Sequence, residues 1–317
     1  MKCQIELLSP SILANEPDLV EEIDRMRASL GIELGWHYVL DLVWIMRTLR
    51  DLRSAMVLDA GAGEGLLQFM LTERGHSVIS VDFGRRRFTL PARLLYRMKY
   101  LEGGRSEDSY LDYLRSRHLD EVTPVVAVAR IAQLGFLKLT NTFRAMSACR
   151  LLIRERRTRR RKLAELLVYR SRIEKMDQLK DESVDAVVSV SALEHLDPGA
   201  IRLAMKEFER VLKPGGPVVI TTVAAEAKDW FHTPSKGWCF AERSLKDLLG
   251  LNRTCLSNWS SYPEILGEIK NSEELQRRLS PIYRISGANG MPWGEWDPKY
   301  VPVGIAFASG ALAEHEG

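Results

Sequence analysis

The 317-residue chain is 45% hydrophobic and 27% charged, with a formal net charge of +3. That balance is ordinary for a soluble globular protein and allows one large domain or two ordinary ones. It excludes a bilayer-spanning helix, because no uninterrupted apolar stretch reaches the roughly 18 residues one needs.

The net charge hides an asymmetry. Residues 84–172 hold 22 Lys/Arg against 8 Asp/Glu, whereas the remainder is acidic. One strongly basic segment on an acidic chain often marks a separate surface with an anionic partner. The four cysteines (Cys3, Cys149, Cys239 and Cys255) are far apart and form no C-x-x-C pair. Such spacing predicts neither a disulfide framework nor a zinc site, and points to a reducing cytoplasm. "MKCQIELLSP" has no apolar core of signal-peptide length, so no leader is expected there.

In chain order, residues 16–53 read as helical. "EPDLVEEIDRMRASLG" opens with acids and closes on a glycine, and "ELGWHYVLDLVWIMRTLRDLRS" repeats apolar residues at helical spacing. Residues 1–54 are therefore expected to form an N-terminal helical cap. The period then changes: "AMVLDAG" predicts a buried strand, "EGLLQFMLTERG" a helix and "HSVISVD" a second strand. Strand, helix and strand with tight connections make a βαβ unit of a parallel sheet.

That alternation stops at Gly84. Residues 84–170 read as a basic helical insertion, with an amphipathic helix over 125–153 and the charge run "RERRTRRRK". It is expected to serve as a lid, a homodimer interface, a surface for anionic lipid or, less favoured, a grip on nucleic acid. The alternation resumes with "RIEKMD" as a weak strand and "VDAVVSVSA" as a strong one. Asp197-Pro198 supplies a helix N-cap and first residue, and "GPVVITT" predicts a further buried strand. "AERSLKDLLG" reads as a helix, "NRTCLSNW" as a strand, "SYPEILGEIKNSEELQRRLS" as an extra helix and "YVPVGIAFAS" as the last strand.

The glycines of "VLDAGAGEG" let a backbone turn sharply beside a ligand. A dinucleotide fingerprint would need a small residue where Leu66 stands, and no Gly-Lys-Ser/Thr ending follows to make a P-loop. With no Lys or Arg until Arg74, a neutral or zwitterionic ligand is expected. Asp59-Ala60-Gly61-Ala62-Gly63-Glu64-Gly65 resembles the D/E-x-G-x-G-x-G motif of class I S-adenosylmethionine-dependent methyltransferases. Asp82 closing the second strand, Met176-Asp177, "VDAVVSVSALEHL" and "VLKPGG" resemble the later motifs of that family in the same order.

The resemblance implies an α/β, Rossmann-like, seven-stranded, mostly parallel sheet with helices on both faces. Residues 55–83 and 171–317 would form the cofactor-binding domain. S-adenosylmethionine would lie against Asp59, Ala60, Gly61, Gly63 and Gly65. Asp82 would hold its ribose hydroxyls, Met176 and Asp177 would edge the adenine, and Phe83 and Ser191 would also belong to the cofactor site. An acid can accept both hydrogen bonds of a vicinal diol without a cation. Trp36, His37 and Tyr38 of "GWHY" are expected to pack helices or to cover the methionine end.

An alcohol acceptor needs a proton acceptor, for which His195 and His232 are the catalytic candidates and His37 a third. The turn after strand four lacks the D/N-P-P-Y/F type and a Pro-Cys pair, and no metal-ligating cluster stands out. The expected reaction is methyl transfer to a hydroxyl of a small molecule or saccharide. The alternatives are an RNA methyltransferase using the basic insertion and a non-catalytic cofactor-binding subunit.

Overall fold

The computed structural model describes residues 2–84, 86–101, 164–252, 254–279, 291 and 295–309. The expected helix at 125–153 and the run "RERRTRRRK" lie outside them. Eleven strands are described: β1 (Gln4–Leu7), β2 (Met56–Ala60), β3 (Ser77–Asp82), β4 (Met98–Leu101), β5 (Leu166–Arg170), β6 (Ala186–Val190), β7 (Pro217–Ala224), β8 (Trp230–His232), β9 (Gly237–Cys239), β10 (Leu256–Ser257) and β11 (Val301–Ala308). Nine of them form one sheet in the order β10-β1-β11-β7-β6-β2-β3-β5-β4, and β8 and β9 form a separate hairpin. The described helices are α1 (Ser11–Asn15), α2 (Pro17–Leu30), α3 (Tyr38–Thr48), α4 (Leu67–Glu73), α5 (Leu90–Leu95), α6 (Pro198–Val211), α7 (Glu242–Leu249), α8 (Tyr262–Lys270) and α9 (Glu273–Arg278).

The sheet is parallel except at β11, which runs antiparallel to both β1 and β7. Its interior strands are buried on both faces, as expected of a parallel sheet covered by helices. β2 pairs with β3 on one side and β6 on the other. The strand order reverses there, and in such sheets the crevice beyond the carboxyl ends of the strands at that point is the usual ligand position.

Nine strands, not seven, make the sheet. One addition is β1, whose alternating half-buried and buried residues put Ile5 and Leu7 into the core. The expected all-helical cap therefore begins with a sheet strand. The other addition is β4, at the opposite edge beside β5. The strand expected at "RIEKMD" lies instead at "LLVYR", inside the segment read as insertion; residues 171–176 turn. β-branched, aromatic and leucine side chains suit the buried position between β3 and β4, and the charged "RIEKMD" does not.

Cys3 and Cys255 form a disulfide, which overturns the expectation against one. They are 252 residues apart, yet the parallel pairing of β1 with β10 sets their Cα atoms 4.9 Å apart. Strand pairing, not spacing along the chain, decides the bridge. Capping follows the sequence: Asp197 Oδ1 accepts from the Ala200 amide at 3.0 Å, with Pro198 opening α6. Gly31 and Gly250 end α2 and α7 in the left-handed conformation.

Candidate active site

The crevice is lined on one side by the turn after β2. Gly61 has φ +76°, and a Cβ there would lie 2.3 Å from the Cβ of Ala192 after β6. Only glycine lets these two turns meet so closely. The Gly61 and Ala62 amides both donate to the Val81 carbonyl, at 2.9 and 3.0 Å. These bonds lock the turn to the end of β3. Asp82 completes the lock, its Oδ2 accepting from the Gly63 amide at 3.0 Å and its Oδ1 from the Gly84 amide at 2.7 Å. Two backbone donors fix the carboxylate plane, and its remaining lone pairs stay available to a diol.

Asp59 stands beneath the turn. Its carboxyl group is buried, and among the described residues its Oδ1 has no hydrogen-bond partner. Burial pushes its pKa up to about 7, against the pull of the Arg86 guanidinium and with the repulsion of Asp82. Sequence order missed Arg86, which lies beyond β3 and folds back toward both acids. Arg86 is already committed, donating to the Ser80 carbonyl at 2.7 Å, the Tyr169 carbonyl at 3.1 Å and the Ser80 hydroxyl.

The other expected cofactor contacts divide. Phe83 is 66% exposed, its carbonyl accepting from Arg170 Nε at 3.1 Å. The Arg172 guanidinium lies 5.9 Å from its ring centre. Met176 is fully buried, and its amide donates to Glu207 Oε2 at 2.8 Å, so its backbone is fixed while its side chain packs in the core. Asp177 is exposed, with Lys175 Nζ 3.5 Å away. Ala60 is buried, and its carbonyl accepts from the Ser189 hydroxyl at 2.8 Å. The Gly65 amide donates to the Ala62 carbonyl, and the Gly65 carbonyl accepts from Gln68 Nε2.

Opposite the glycine turn, aromatic and acidic side chains converge from four parts of the chain. Trp36 Nε1 donates to the Tyr300 hydroxyl at 3.3 Å, and His37 stacks on Tyr38 with ring centres 5.0 Å apart. His37 Nδ1 lies 2.7 Å from Asp41 Oδ2, one helical turn on, and both residues are buried. Ser191, at φ +45°, directs its hydroxyl to the same Asp41 oxygen at 3.4 Å. Thr222 Oγ1 on β7 donates to buried Glu194 at 3.0 Å, and burial holds the Glu194 carboxyl above its ordinary range. Burial likewise raises the Tyr300 phenol.

The expected catalytic histidines separate. His232, on β8, is buried within this group, its ring centre 5.3 Å from that of Tyr300. Its Nδ1 is 2.7 Å from Ser235 Oγ, and burial with the nearby Lys299 charge holds its pKa below the usual value. His195 is exposed, its Nδ1 donating to the Lys236 carbonyl at 2.9 Å. Its neighbour Glu194, which sequence reading passed over, is the residue that points inward.

A glycine turn after the first central strand, an acid at the end of the next and an adjoining group of buried polar side chains are what a Rossmann-like sheet places at its ligand end. Residues 131–220 match the family model described as a methyltransferase domain. Over residues 131–220 the chain is thus similar to methyltransferase domains, in keeping with its resemblance to the S-adenosylmethionine-dependent class.

The matched segment includes β5 to α6 and the start of β7, and leaves out the glycine turn. No curated protein matches the sequence. Among solved structures, the chain is similar to 1,6-didemethyltoxoflavin-N1-methyltransferase from Burkholderia thailandensis, at 17% identity over 75% of this chain and 71% of that one, TM-score 0.36. It is also similar to the [4+2]-cyclase SpnF, at 14% identity over 96% and 98%, TM-score 0.44. Phosphoethanolamine N-methyltransferase 2 from Haemonchus contortus gives 16% identity over 94% of this chain and 59% of that one, TM-score 0.43.

The residues present fit the cofactor of this class. Unpartnered, buried Asp59 Oδ1 is an acceptor awaiting a donor. Asp82 is held, among the described residues, by the Gly63 and Gly84 amides, and glycine at 61 keeps the turn after β2 close against Ala192.

Proposed function

We propose that the protein transfers a methyl group from S-adenosylmethionine to a hydroxyl of a small molecule or saccharide. The observation that carries this reading is the Asp82 carboxylate pinned by the Gly63 and Gly84 amides beside the Gly61–Gly65 turn. The cofactor, when bound, supplies an activated methyl on a sulfonium. Asp82 would accept from the ribose hydroxyls, Asp59 from the ammonium of the methionine portion, and Phe83 would flank the adenine. Met176 and Asp177 belong to the adenine edge in this reading, and Ser191 to the methionine end. Trp36, His37 and Tyr38 form the cover that keeps water from the transfer path, which is mainly a matter of proximity and orientation.

Choice of oxygen as acceptor is supported by the acid and imidazole groups gathered beside the turn, because an alcohol must lose a proton as it is methylated. His232 lines that compartment and His195 marks its outer rim. The basic segment 84–170 is proposed as lid or partner surface for the same reaction. A cytoplasmic location belongs to the proposal too. The Cys3–Cys255 bridge counts against it, since structural disulfides are rare in reducing compartments.

Calorimetry with S-adenosylhomocysteine tests the reading. The wild-type chain is expected to bind it, and Asp82→Ala to bind about 5–150-fold more weakly, corresponding to ~1–3 kcal/mol for hydrogen bonds to a charged acceptor. Equal affinity in the two proteins would remove Asp82 from the ribose site.

A further inference from the structure

We infer that His37, held by Asp41, takes the acceptor's proton during the transfer. This assignment rests on the hydroxyl-acceptor reading above and names the base that reading requires.

His37 precedes the first turn of α3 and Asp41 follows four residues later, so the two share a helix face. The short contact from Nδ1 to Asp41 Oδ2 is wholly buried. A buried carboxylate on Nδ1 makes that nitrogen the donor and leaves Nε2 with a bare lone pair. The same carboxylate stabilises the imidazolium once Nε2 has gained a proton, as in any acid–imidazole pair that serves a base. Among the described residues Nε2 has no hydrogen-bond partner. The ring cannot swing away, because Trp36, Tyr38 and Tyr300 enclose it at centre distances of 4.9, 5.0 and 5.8 Å. Asp41 is also tied to the cofactor side through the Ser191 hydroxyl, and its Oδ1 is buried without a partner.

Among the described residues, the titratable groups facing His37 are Tyr38 and Asp41 on α3, Glu194 after β6 and Tyr300 before β11. Two are carboxyl groups and none is a cation. His232 lacks this support: its Nδ1 meets a serine hydroxyl, Lys299 disfavours its charged form, and Tyr300 stands between it and His37. His195 faces outward.

In the step itself the acceptor O–H bond breaks and its proton moves to His37 Nε2. The oxygen's electron pair forms the new O–CH3 bond, and the pair of the broken C–S bond stays on sulfur in the thioether product. The imidazolium then returns its proton to water.

Nitrogen-15 histidine spectra of the full chain read the lone pair without any acceptor in hand and without access of a reagent to the buried ring. Neutral His37 is expected with its proton on Nδ1 and a bare Nε2, and Asp41→Asn is expected to shift that tautomer toward Nε2. A wild-type His37 with its proton on Nε2 would overturn the assignment, whether or not Asp41→Asn folds. Calorimetry with S-adenosylhomocysteine separates the two levels. Absent binding discards the parent reading, whereas intact binding with the proton on Nε2 discards only this base.

Discussion

At the scale of single residues, Asp59 has the sharpest thermodynamic signature. Its carboxyl titrates near 7 in the folded chain against 3.8 for the ordinary group, because burial disfavours the charge. A raised acid pKa means that the folded state binds the proton more tightly than the unfolded chain. The stability from the neutral form is full below about pH 4, declines as pH rises toward 7, and is flat above that. The slope is on the order of 1.4 kcal/mol per pH unit at most. Asp59→Asn should therefore flatten the Tm profile between pH 4 and 7 and raise Tm at pH 8, as calorimetric melts would read. An unchanged profile would mean that Asp59 ionises normally.

Gly61→Ala is expected to abolish S-adenosylhomocysteine binding or weaken it by more than tenfold. A Cβ at φ +76° and 2.3 Å from Ala192 must push apart the turns after β2 and β6. The glycine turn and Asp82 were legible in the sequence, because they are spaced by the local geometry of one βαβ unit. Asp41, Glu194, Thr222, Tyr300 and Arg86 were not. Each reaches the site from a separate element, and only the packing of those elements reveals it.

Among elements, α3 is fastened to the sheet through Trp44 and Arg47. Gly304 of β11 lets the Trp44 indole lie directly on the strand, where an added Cβ would be 2.4 Å from the ring. The indole Nε1 in turn donates to Glu6 Oε2 on β1 at 2.8 Å, and Arg47 donates to both oxygens of the same carboxylate at 2.9 Å. Helix α3 thereby fastens to two neighbouring strands. Gly304→Ala should cost about 1–3 kcal/mol through overpacking, seen as a lower Tm in thermal melts. An unshifted Tm would mean that Trp44 moves aside freely.

Helices α2, α3, α4, α6 and α7 and strands β2, β3, β6, β7 and β11 were predicted from period and caps, whereas α1 was not, and the single helix expected over α8 and α9 breaks at Asn271–Ser272. β1, β4 and the β8–β9 hairpin were missed because three or four residues carry too little periodicity to distinguish a strand from a loop. The strand at 166–170 was overlooked because Arg170 and the surrounding arginines made its four apolar and aromatic residues read as part of the basic insertion.

For the whole molecule, the sheet and its disulfide join residues that the chain order separates most. Alkylation of the denatured protein with and without reductant should differ by the two adducts of Cys3 and Cys255. Equal adduct numbers would show the pair as thiols. Cys255→Ser should lower stability by about 2–4 kcal/mol, the usual worth of a bridge closing a long loop, with the loss read as a fall in Tm.

A ribosome meets the sheet in an awkward order. β1 is made early, but the strands on either side of it, β10 and β11, follow some 250 to 300 residues later. At elongation rates of about 5–20 residues per second, its backbone edges wait on the order of fifteen seconds or longer for their neighbours. The strand must stay solvated or shielded throughout that delay, so translation speed bears on the yield of correctly assembled protein.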